Sequence, residues 1–183
     1  MDRYRVVAVV FDPVGLICGD ACERTTSILN SKGVEAIFYH GGMEQDDRER
    51  ALIKFRNGSV NYLVTTDLAA RGLDIPEMKH VIHFHLPAKQ NEFVHRNGRT
   101  ARMHATGTSY VVLSREEPRP GYINAPMEEL KLSKTNKLPK PPQFQTIYIS
   151  GGKKNKLNKI DIVGTFLQKG NLAKDELGII EVK

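Results

Sequence analysis

The run Val6-Val7-Ala8-Val9-Val10-Phe11 is apolar without interruption. Such a run is typical of a strand that lies inside a parallel sheet and is buried on both faces. Downstream, apolar β-like segments alternate with amphipathic ones over short connections. The sequence therefore predicts an α/β domain with a parallel sheet and helices on both faces.

The predicted elements follow one another in a regular strand–helix alternation. The predicted strands are 6–11, 35–39, 61–65, 80–84 and 108–114, and the predicted helices are 21–32, 44–56 and 90–97. We expect Asp20 to cap the first helix, and Gly33 and Gly58 to end the first and second helices.

Composition and length limit the class of protein. A chain of 183 residues with 40% hydrophobic and 26% charged residues can form one α/β domain and a small appendage. No apolar run approaches membrane-spanning length, and Met1 does not begin a signal pattern, so we expect a cytoplasmic protein without a membrane partner. Cys18 and Cys22 are too few for a disulfide framework and lack further ligands at metal-binding spacing, so we predict buried thiols and no metal site.

The net charge of +6 is unevenly distributed. Residues 1–118 carry 15 basic and 15 acidic residues, whereas residues 119–183 carry 12 basic and 6 acidic residues. A neutral first part with a cationic second part indicates contact with a polyanion, and a lysine-rich tail that only aids solubility is the alternative.

The amino-acid composition of the chain changes after residue 117. Six prolines and four lysines between 118 and 142 predict a linker over 118–143. Residues 144–183 then predict a β-α-β piece with strands at 145–150 and 177–182 and a helix at 160–168. This piece is below the size that usually folds alone, so we interpret it as part of a domain. The first domain is 1–117, and its residues 1–19 are irregular.

Two segments fall where an open parallel sheet binds its ligands, outside the carboxyl ends of the strands. These are His40-Gly41-Gly42 and Thr66-Asp67. The glycines allow a close approach of backbone to a ligand. Gln45 and Arg48 project from the same first helical turn, either toward that ligand or as an ordinary exposed helix face.

A third segment, His95–Arg102, reads His-Arg-Asn-Gly-Arg-Thr-Ala-Arg. Arg96, Arg99 and Arg102 recur at every third residue, so on a helix they would share one broad side and repel one another. A guanidinium group is a planar fork that matches phosphate oxygens. The segment is therefore either a phosphate-binding cluster or a solvated basic helix end.

The segments 40–48, 63–76 and 95–102, in this order and spacing, resemble the C-terminal RecA-like domain of DEAD-box RNA helicases over residues 34–114. Residues 153–183 resemble the start of the RNA-binding domain of the bacterial DEAD-box protein A family, which is of RNA-recognition-motif (RRM) type. The fold implied is a RecA-like parallel sheet with helices on both faces and a partial RRM-like α+β appendage.

The resemblance implies RNA as a partner. The residues it assigns to RNA are Gly42, Gln45, Arg48, Thr66, Arg71, Gly72, Lys153, Lys154 and Lys156. Contacts to phosphate and sugar carry no sequence information, so the helicase part is expected to bind RNA without base preference. Tyr148 either stacks on a base or is a buried or edge tyrosine.

The resemblance also implies ATP as the cofactor. Asp74 is expected to bind the ribose, a role compatible with pairing to Arg71, and Arg99 and Arg102 correspond to arginine fingers that meet the γ-phosphate. His95 and Arg96 correspond to positions that link the nucleotide and RNA sites. The phosphate loop and the Asp-Glu-Ala-Asp sequence that hold ATP and Mg²⁺ are missing from this sequence, so an N-terminal RecA-like half is the expected partner and the chain alone is expected to be inactive.

The function implied is that of the C-terminal part of an ATP-dependent RNA helicase, which unwinds RNA duplexes in ribosome assembly, with ribosomal RNA as a target and no DNA. The alternatives are a non-catalytic RNA-binding module, an inactive helicase fragment, and a DNA-directed relative, which preference for a 2′-hydroxyl backbone would distinguish. The sequence departs from the family at residues 1–19, at Asn97 and Ala101 (usually Ile and Gly), and by stopping before a third strand of the appendage. We interpret His83, His85 and His104 as structural.

Overall fold

The computed structural model describes residues 6–9, 18–66, 78–98, 107–133 and 137–182. Its strands are β1 (Val6–Val9), β2 (Ala36–Tyr39), β3 (Tyr62–Thr65), β4 (His80–His83) and β5 (Thr108–Val111). Its helices are α1 (Cys18–Ser31), α2 (Gln45–Asn57), α3 (Gln90–Asn97) and α4 (Lys159–Gly164). A 3₁₀ turn at Lys153–Asn155 precedes α4, and a π-helical turn at Thr165–Lys169 continues it.

The five strands form one sheet in the order β2-β3-β1-β4-β5, and every neighbouring pair is parallel. The apolar run that opened the sequence analysis forms the central strand, where Val7 is in register with Leu63 on one side and Val81 on the other. The predicted parallel sheet is therefore confirmed. Val10 and Phe11, which the prediction also placed in this strand, lie outside the described residues.

Helices cover both faces of the sheet. Successive side chains of a strand point to opposite faces, and the two core clusters separate accordingly. Leu63 and Val81 pack with Phe55 of α2 on one face, whereas Val64 packs with Cys22 of α1 on the other. The prediction of helices on both faces of the sheet is confirmed. Packing within these two clusters of buried residues positions α1 and α2 against the strands.

The ends of α1 and α2 correct one prediction and confirm two. α1 begins at Cys18, so Asp20 lies in its first turn and the prediction that Asp20 caps the helix is wrong. A carboxylate in the first turn still interacts favourably with the helix dipole. Gly33 and Gly58 adopt φ values of 82° and 74°, a left-handed conformation that ends a helix and that glycine adopts without strain.

The appendage departs from its predicted secondary structure. The predicted helix is found as α4 and the π-helical turn, but no residue from 137 to 182 is in a β-strand, so the predicted strands at 145–150 and 177–182 are wrong. Residues of the first stretch contact α2 and its end instead: Thr146 Oγ1 lies 2.7 Å from Ser59 Oγ, and the Tyr148 ring lies 4.7 Å from the Arg50 guanidinium carbon. Without a strand partner no ladder forms, and the RRM-like arrangement stays a prediction.

The first part of the predicted linker is packed. Ile123 is 5% exposed, and the ring centroids of Tyr122 and Phe93 lie 5.6 Å apart. The Tyr122 hydroxyl donates a hydrogen bond to the Pro87 carbonyl, and Arg119 donates to the Ile123 carbonyl. The linker boundaries at 118 and 143 stay predictions, but residues 119–123 are part of the packed domain.

Two expectations from composition concern cysteines and membranes. Cys22 is a free thiol that is completely buried, as predicted, whereas the side chain of Cys18 lies outside the described residues. Across the described segments, no helix combines the length and the apolar character that crossing a membrane requires.

Candidate nucleic-acid interface at the carboxyl edge of the sheet

The carboxyl ends of β2 and β3 lie side by side, since Tyr39 is in register with Thr65. His40 and Thr66 are the next residues of each strand, so both lie at the same edge of the sheet. α2 begins at Gln45, soon after the two glycines that follow His40. The fold thus brings Gly42, Gln45 and Thr66 to one edge, the place where parallel sheets bind ligands.

Gln45 and Arg48 form a hydrogen-bonded pair on the first turn of α2. Arg48 Nη2 donates to Gln45 Oε1 over 2.6 Å, and Gln45 Nε2 donates to Glu49 Oε1 over 3.1 Å. These two hydrogen bonds fix which way the Gln45 amide points, and they hold the Arg48 guanidinium beside it. Glu49 was missed by the sequence analysis, although its spacing of four residues from Gln45 is the signal that could have found it.

His40 fixes the turn between β2 and α2. Its Nδ1 accepts a hydrogen bond from the Gly42 N–H at 3.2 Å, so the ring proton is on Nε2, which donates to Glu23 Oε1 at 3.2 Å. The ring is 6% exposed, stacks on Phe38, and leaves no space for a side chain at Gly19, where a Cβ would lie 2.8 Å from it. Glu23 and Gly19 of α1 therefore position the turn, and no pattern in the sequence indicated them.

Charge at the start of α2 is mostly negative. The acidic residues are Glu44, Asp46, Asp47 and Glu49, and the basic residues are Arg48 and Arg50. Arg50 pairs with Asp47 at 3.0 Å. The pKa of Arg50 is raised, first by its hydrogen bond with Tyr148 and further by Asp47. This edge therefore suits directed hydrogen bonds from Gln45 and Arg48 better than a diffuse attraction of anions.

Thr66 is 5% exposed, and its carbonyl accepts a hydrogen bond from the Thr65 hydroxyl at 3.2 Å. Its side chain is thus largely covered at the edge where the sequence analysis placed an RNA contact. The neighbouring predicted site residues Arg71, Gly72 and Asp74 lie outside the described residues.

The basic segment at 95–102 is divided by the end of α3. α3 ends at Asn97 with Gly98 as its cap, so one helix does not carry all three arginines. Arg96 is 3% exposed and donates from Nη1 to the His85 carbonyl over 2.9 Å, whereas His95 is exposed. Arg96 is therefore held inside the domain, and Arg99 and Arg102 lie outside the described residues.

The predicted basic contacts of the appendage are exposed as expected for a binding surface. Lys153 and Lys154 lie on the 3₁₀ turn, and Lys156 caps it with a φ of 60°. The next turn begins at Asn158, whose side chain accepts hydrogen bonds from the N–H groups of Ile160 and Asp161. A surface cavity of about 510 Å³ adjoins them, and it is lined by Lys153, Asn158, Lys159, Glu181 and Val182.

No group of three or more His, Cys, Asp and Glu side chains in the described segments is arranged to hold a metal ion. Two groups of sequence-predicted RNA contacts lie within the described segments: the edge formed by Gly42, Gln45 and Arg48, and the lysine surface before α4, which consists of Lys153, Lys154 and Lys156.

Comparison with known proteins assigns both parts of the chain to families. Residues 15–104 match a family described as "Helicase conserved C-terminal domain", and residues 146–183 match one described as "DbpA RNA binding domain". The chain is 35% identical to "ATP-dependent RNA helicase DbpA" of Escherichia coli over 88% of its own length and 36% of the relative's. It is 31% identical to the protein of the same name from Bacillus subtilis, covering 87% of this chain and 39% of that one. The chain thus spans less than half the length of these curated relatives.

Solved structures of similar fold include the E. coli DEAD-box protein SrmB bound to the regulator of ribonuclease activity A. It is 34% identical with a TM-score of 0.53, covering 58% of this chain and 59% of that one. The C-terminal domain of the DEAD-box protein Dbp5 is 27% identical with a TM-score of 0.54, covering 63% of this chain and 64% of that one. Saccharomyces cerevisiae Dbp5 bound to RNA and ADP BeF3 gives a TM-score of 0.55 at 27% identity, over 62% of this chain and 29% of that one. These likenesses agree with the parallel sheet described above.

Proposed function

Because this chain belongs to the DEAD-box helicase family, in which it carries a helicase C-terminal domain and a DbpA RNA binding domain, we propose that it supplies one half of the RNA groove of an ATP-dependent RNA helicase. The observation that carries the proposal is the oriented Gln45–Arg48 pair at the carboxyl edge of the sheet, beside Gly42. The relatives are named as ATP-dependent RNA helicases, and this chain would contribute the helicase C-terminal domain.

At this edge the chain offers donors that match an RNA backbone. The Arg48 guanidinium can donate to two phosphate oxygens, and the exposed Gln45 amide can reach a phosphate or a ribose hydroxyl. Both donors are already oriented by hydrogen bonds within α2, so binding costs less conformational entropy than ordering free side chains. Contacts of this kind position the strand without reading its bases.

The proposal extends to ATP through residues outside the described segments. Asp74 would bind the ribose, and Arg99 and Arg102 would act as arginine fingers opposite an N-terminal RecA-like half that holds ATP and Mg²⁺. Fingers stabilise the charge that phosphoryl transfer spreads over the equatorial oxygens. The buried Arg96 would support them by tying α3 to the loop after β4, and the exposed His95 would face the cleft between the halves.

The appendage would direct the enzyme to its RNA. Lys153, Lys154 and Lys156 are exposed on one 3₁₀ turn and its cap, where they can neutralise phosphates of a folded RNA. On the strength of the DbpA RNA binding domain we propose ribosomal RNA as the target, ribosome assembly as the process and the cytoplasm as the location.

The experiment that tests the RNA groove compares two arginines of the same helix. Arg48→Ala removes the predicted phosphate contact, whereas Arg50→Ala removes a guanidinium that is already engaged with Asp47 and Tyr148. Binding of an unstructured single-stranded RNA is measured by fluorescence anisotropy over a range of salt concentrations. We expect Arg48→Ala to weaken binding and to lower the salt slope by about 0.7 per lost phosphate contact.

We expect Arg50→Ala to leave the salt slope unchanged, because Arg50 lies on the part of α2 that faces Tyr148. Equal effects of the two substitutions would contradict the groove assignment. Replacement of the RNA by DNA of the same sequence tests the expected preference for a 2′-hydroxyl backbone.

A second candidate function is a non-catalytic RNA-binding module, which the lysine surface and its cavity favour because they need no second domain. Fusion to a DEAD-box N-terminal half distinguishes the two. RNA-stimulated ATP hydrolysis by the fusion supports the helicase, and RNA binding without hydrolysis by a folded, ATP-binding fusion supports the module.

A further inference from the structure

A polar cluster around the buried His83 joins α3 to two strands of the sheet. His83 Nε2 lies 2.8 Å from Asn97 Oδ1 and 3.1 Å from Ser109 Oγ, and the Ser109 hydroxyl donates to Asn97 Oδ1 over 2.8 Å. His83 is the last residue of β4, Asn97 is the last residue of α3, and Ser109 belongs to β5. Three elements therefore meet at one amide oxygen.

The hydrogen bonds of the cluster determine which ring nitrogen of His83 is a donor. The Asn97 oxygen can only accept hydrogen bonds, so His83 carries its proton on Nε2 and the ring is a donor at this point. His83 is completely buried, and its ring lies against Phe93 of α3 with centroids 4.8 Å apart. A buried N–H group without an acceptor destabilises the folded state, so the Asn97 oxygen stabilises this arrangement although asparagine has a weak helix propensity.

Asn97 lies immediately before the segment that contains the predicted arginine fingers. Gly98 follows it and caps α3, and Arg99 is the next residue. The preceding Arg96 is buried and bonded to the His85 carbonyl. The last two residues of α3 are thus both fastened to the sheet domain immediately before the segment that carries Arg99 and Arg102.

We propose that Asn97 is a positioning residue: through His83 and Ser109 it fastens the C-terminal end of α3 to β4 and β5, immediately before the segment of the chain that carries Arg99. The inference rests on the proposed function insofar as Arg99 acts as an arginine finger. The anchoring itself is a property of the described residues alone. An apolar residue at position 97 would lack the oxygen that accepts from both His83 and Ser109.

The first test is hydrogen–deuterium exchange of the full chain, which needs neither ATP nor RNA. Asn97→Ala removes the acceptor, Asn97→Asp keeps an acceptor oxygen in the same place, and Asn91→Ala makes the same change at an exposed position of α3. We expect Asn97→Ala to speed amide exchange in the last turn of α3 roughly tenfold, as the loss of two hydrogen bonds predicts. We expect Asn97→Asp and Asn91→Ala to stay near the parent.

Equal amide exchange in the Asn97→Ala and Asn91→Ala variants would overturn the proposed attachment of α3 to β4 and β5, whatever the chain's function.

The second test is ATP hydrolysis by the fusion with an N-terminal half, again with the three variants. Positioning predicts that Asn97→Ala lowers kcat at least about tenfold with little change in KM for ATP, and that Asn97→Asp restores most of it.

The outcomes separate the two hypotheses. Faster exchange with an unchanged kcat would overturn the positioning role. A parent fusion that binds ATP and RNA but does not hydrolyse would contradict the proposed function, and with it the link to Arg99, while the exchange result still decides the anchor.

Discussion

Ile123 tests whether the start of the predicted linker is part of the folded domain. Its side chain is 5% exposed, so Ile123→Ala takes about three carbons out of a buried site. At about 0.8 kcal/mol per carbon the transfer loss is about 2.4 kcal/mol, and the cavity left behind brings the expected loss to about 2–4 kcal/mol of unfolding free energy. This loss is a large part of the stability of a domain of this size.

The assay is urea unfolding of the full chain, followed by circular dichroism, with Ile160→Ala as the matched control. Ile160 is 80% exposed, so the same change there is expected to cost less than about 0.5 kcal/mol. A midpoint for Ile123→Ala that coincides with the midpoint for Ile160→Ala would refute the packing of this segment. A lower slope in urea would instead indicate that the transition no longer has two states.

Two further predictions concern the site and its pH dependence. In the fusion with an N-terminal half, Arg99→Ala is expected to reduce ATP turnover roughly 10³- to 10⁵-fold and to leave RNA binding largely intact, and an equal loss of both would count against the finger assignment. Burial raises the pKa of Tyr62 above its ordinary value of about 10. The folded state therefore favours the neutral phenol, and this contribution to stability is present below the unfolded pKa and is lost as pH rises through the raised one. Tyr62→Phe should flatten the fall in unfolding free energy between about pH 9 and about pH 11, and a parallel fall in both proteins would contradict this.

Much of the sheet domain could be predicted from the sequence because its signals are local. The apolar run at Val6 requires a strand with neighbours on both sides, and the structure places it at the centre of the sheet. Gly33 and Gly58 end their helices through a backbone conformation that depends only on the residues nearby. The boundaries of α3 were predicted without error for the same reason.

The predictions that proved wrong depended on contacts distant in sequence. Residues 145–150 alternate as a strand does, yet Thr146 and Tyr148 contact Ser59 and Arg50. A strand forms only when another strand pairs with it through backbone hydrogen bonds, and an alternating pattern does not show whether such a partner is present. The residue type of Asp20 suits a helix cap, but α1 begins at Cys18, two residues before Asp20.

The α/β class of this protein, the order of its elements and the family to which its motifs belong could be predicted from the amino-acid sequence, since periodicity and motif spacing are properties of neighbouring residues. Which side chains act together depends on the folded chain. His40 is held by Glu23 across the sheet edge, Arg96 is buried against His85, and Asn97 accepts from His83 and Ser109. Hydrogen bonds such as these join residues 11 to 17 positions apart, and they exist only because the parallel strands bring the ends of separate elements to one place.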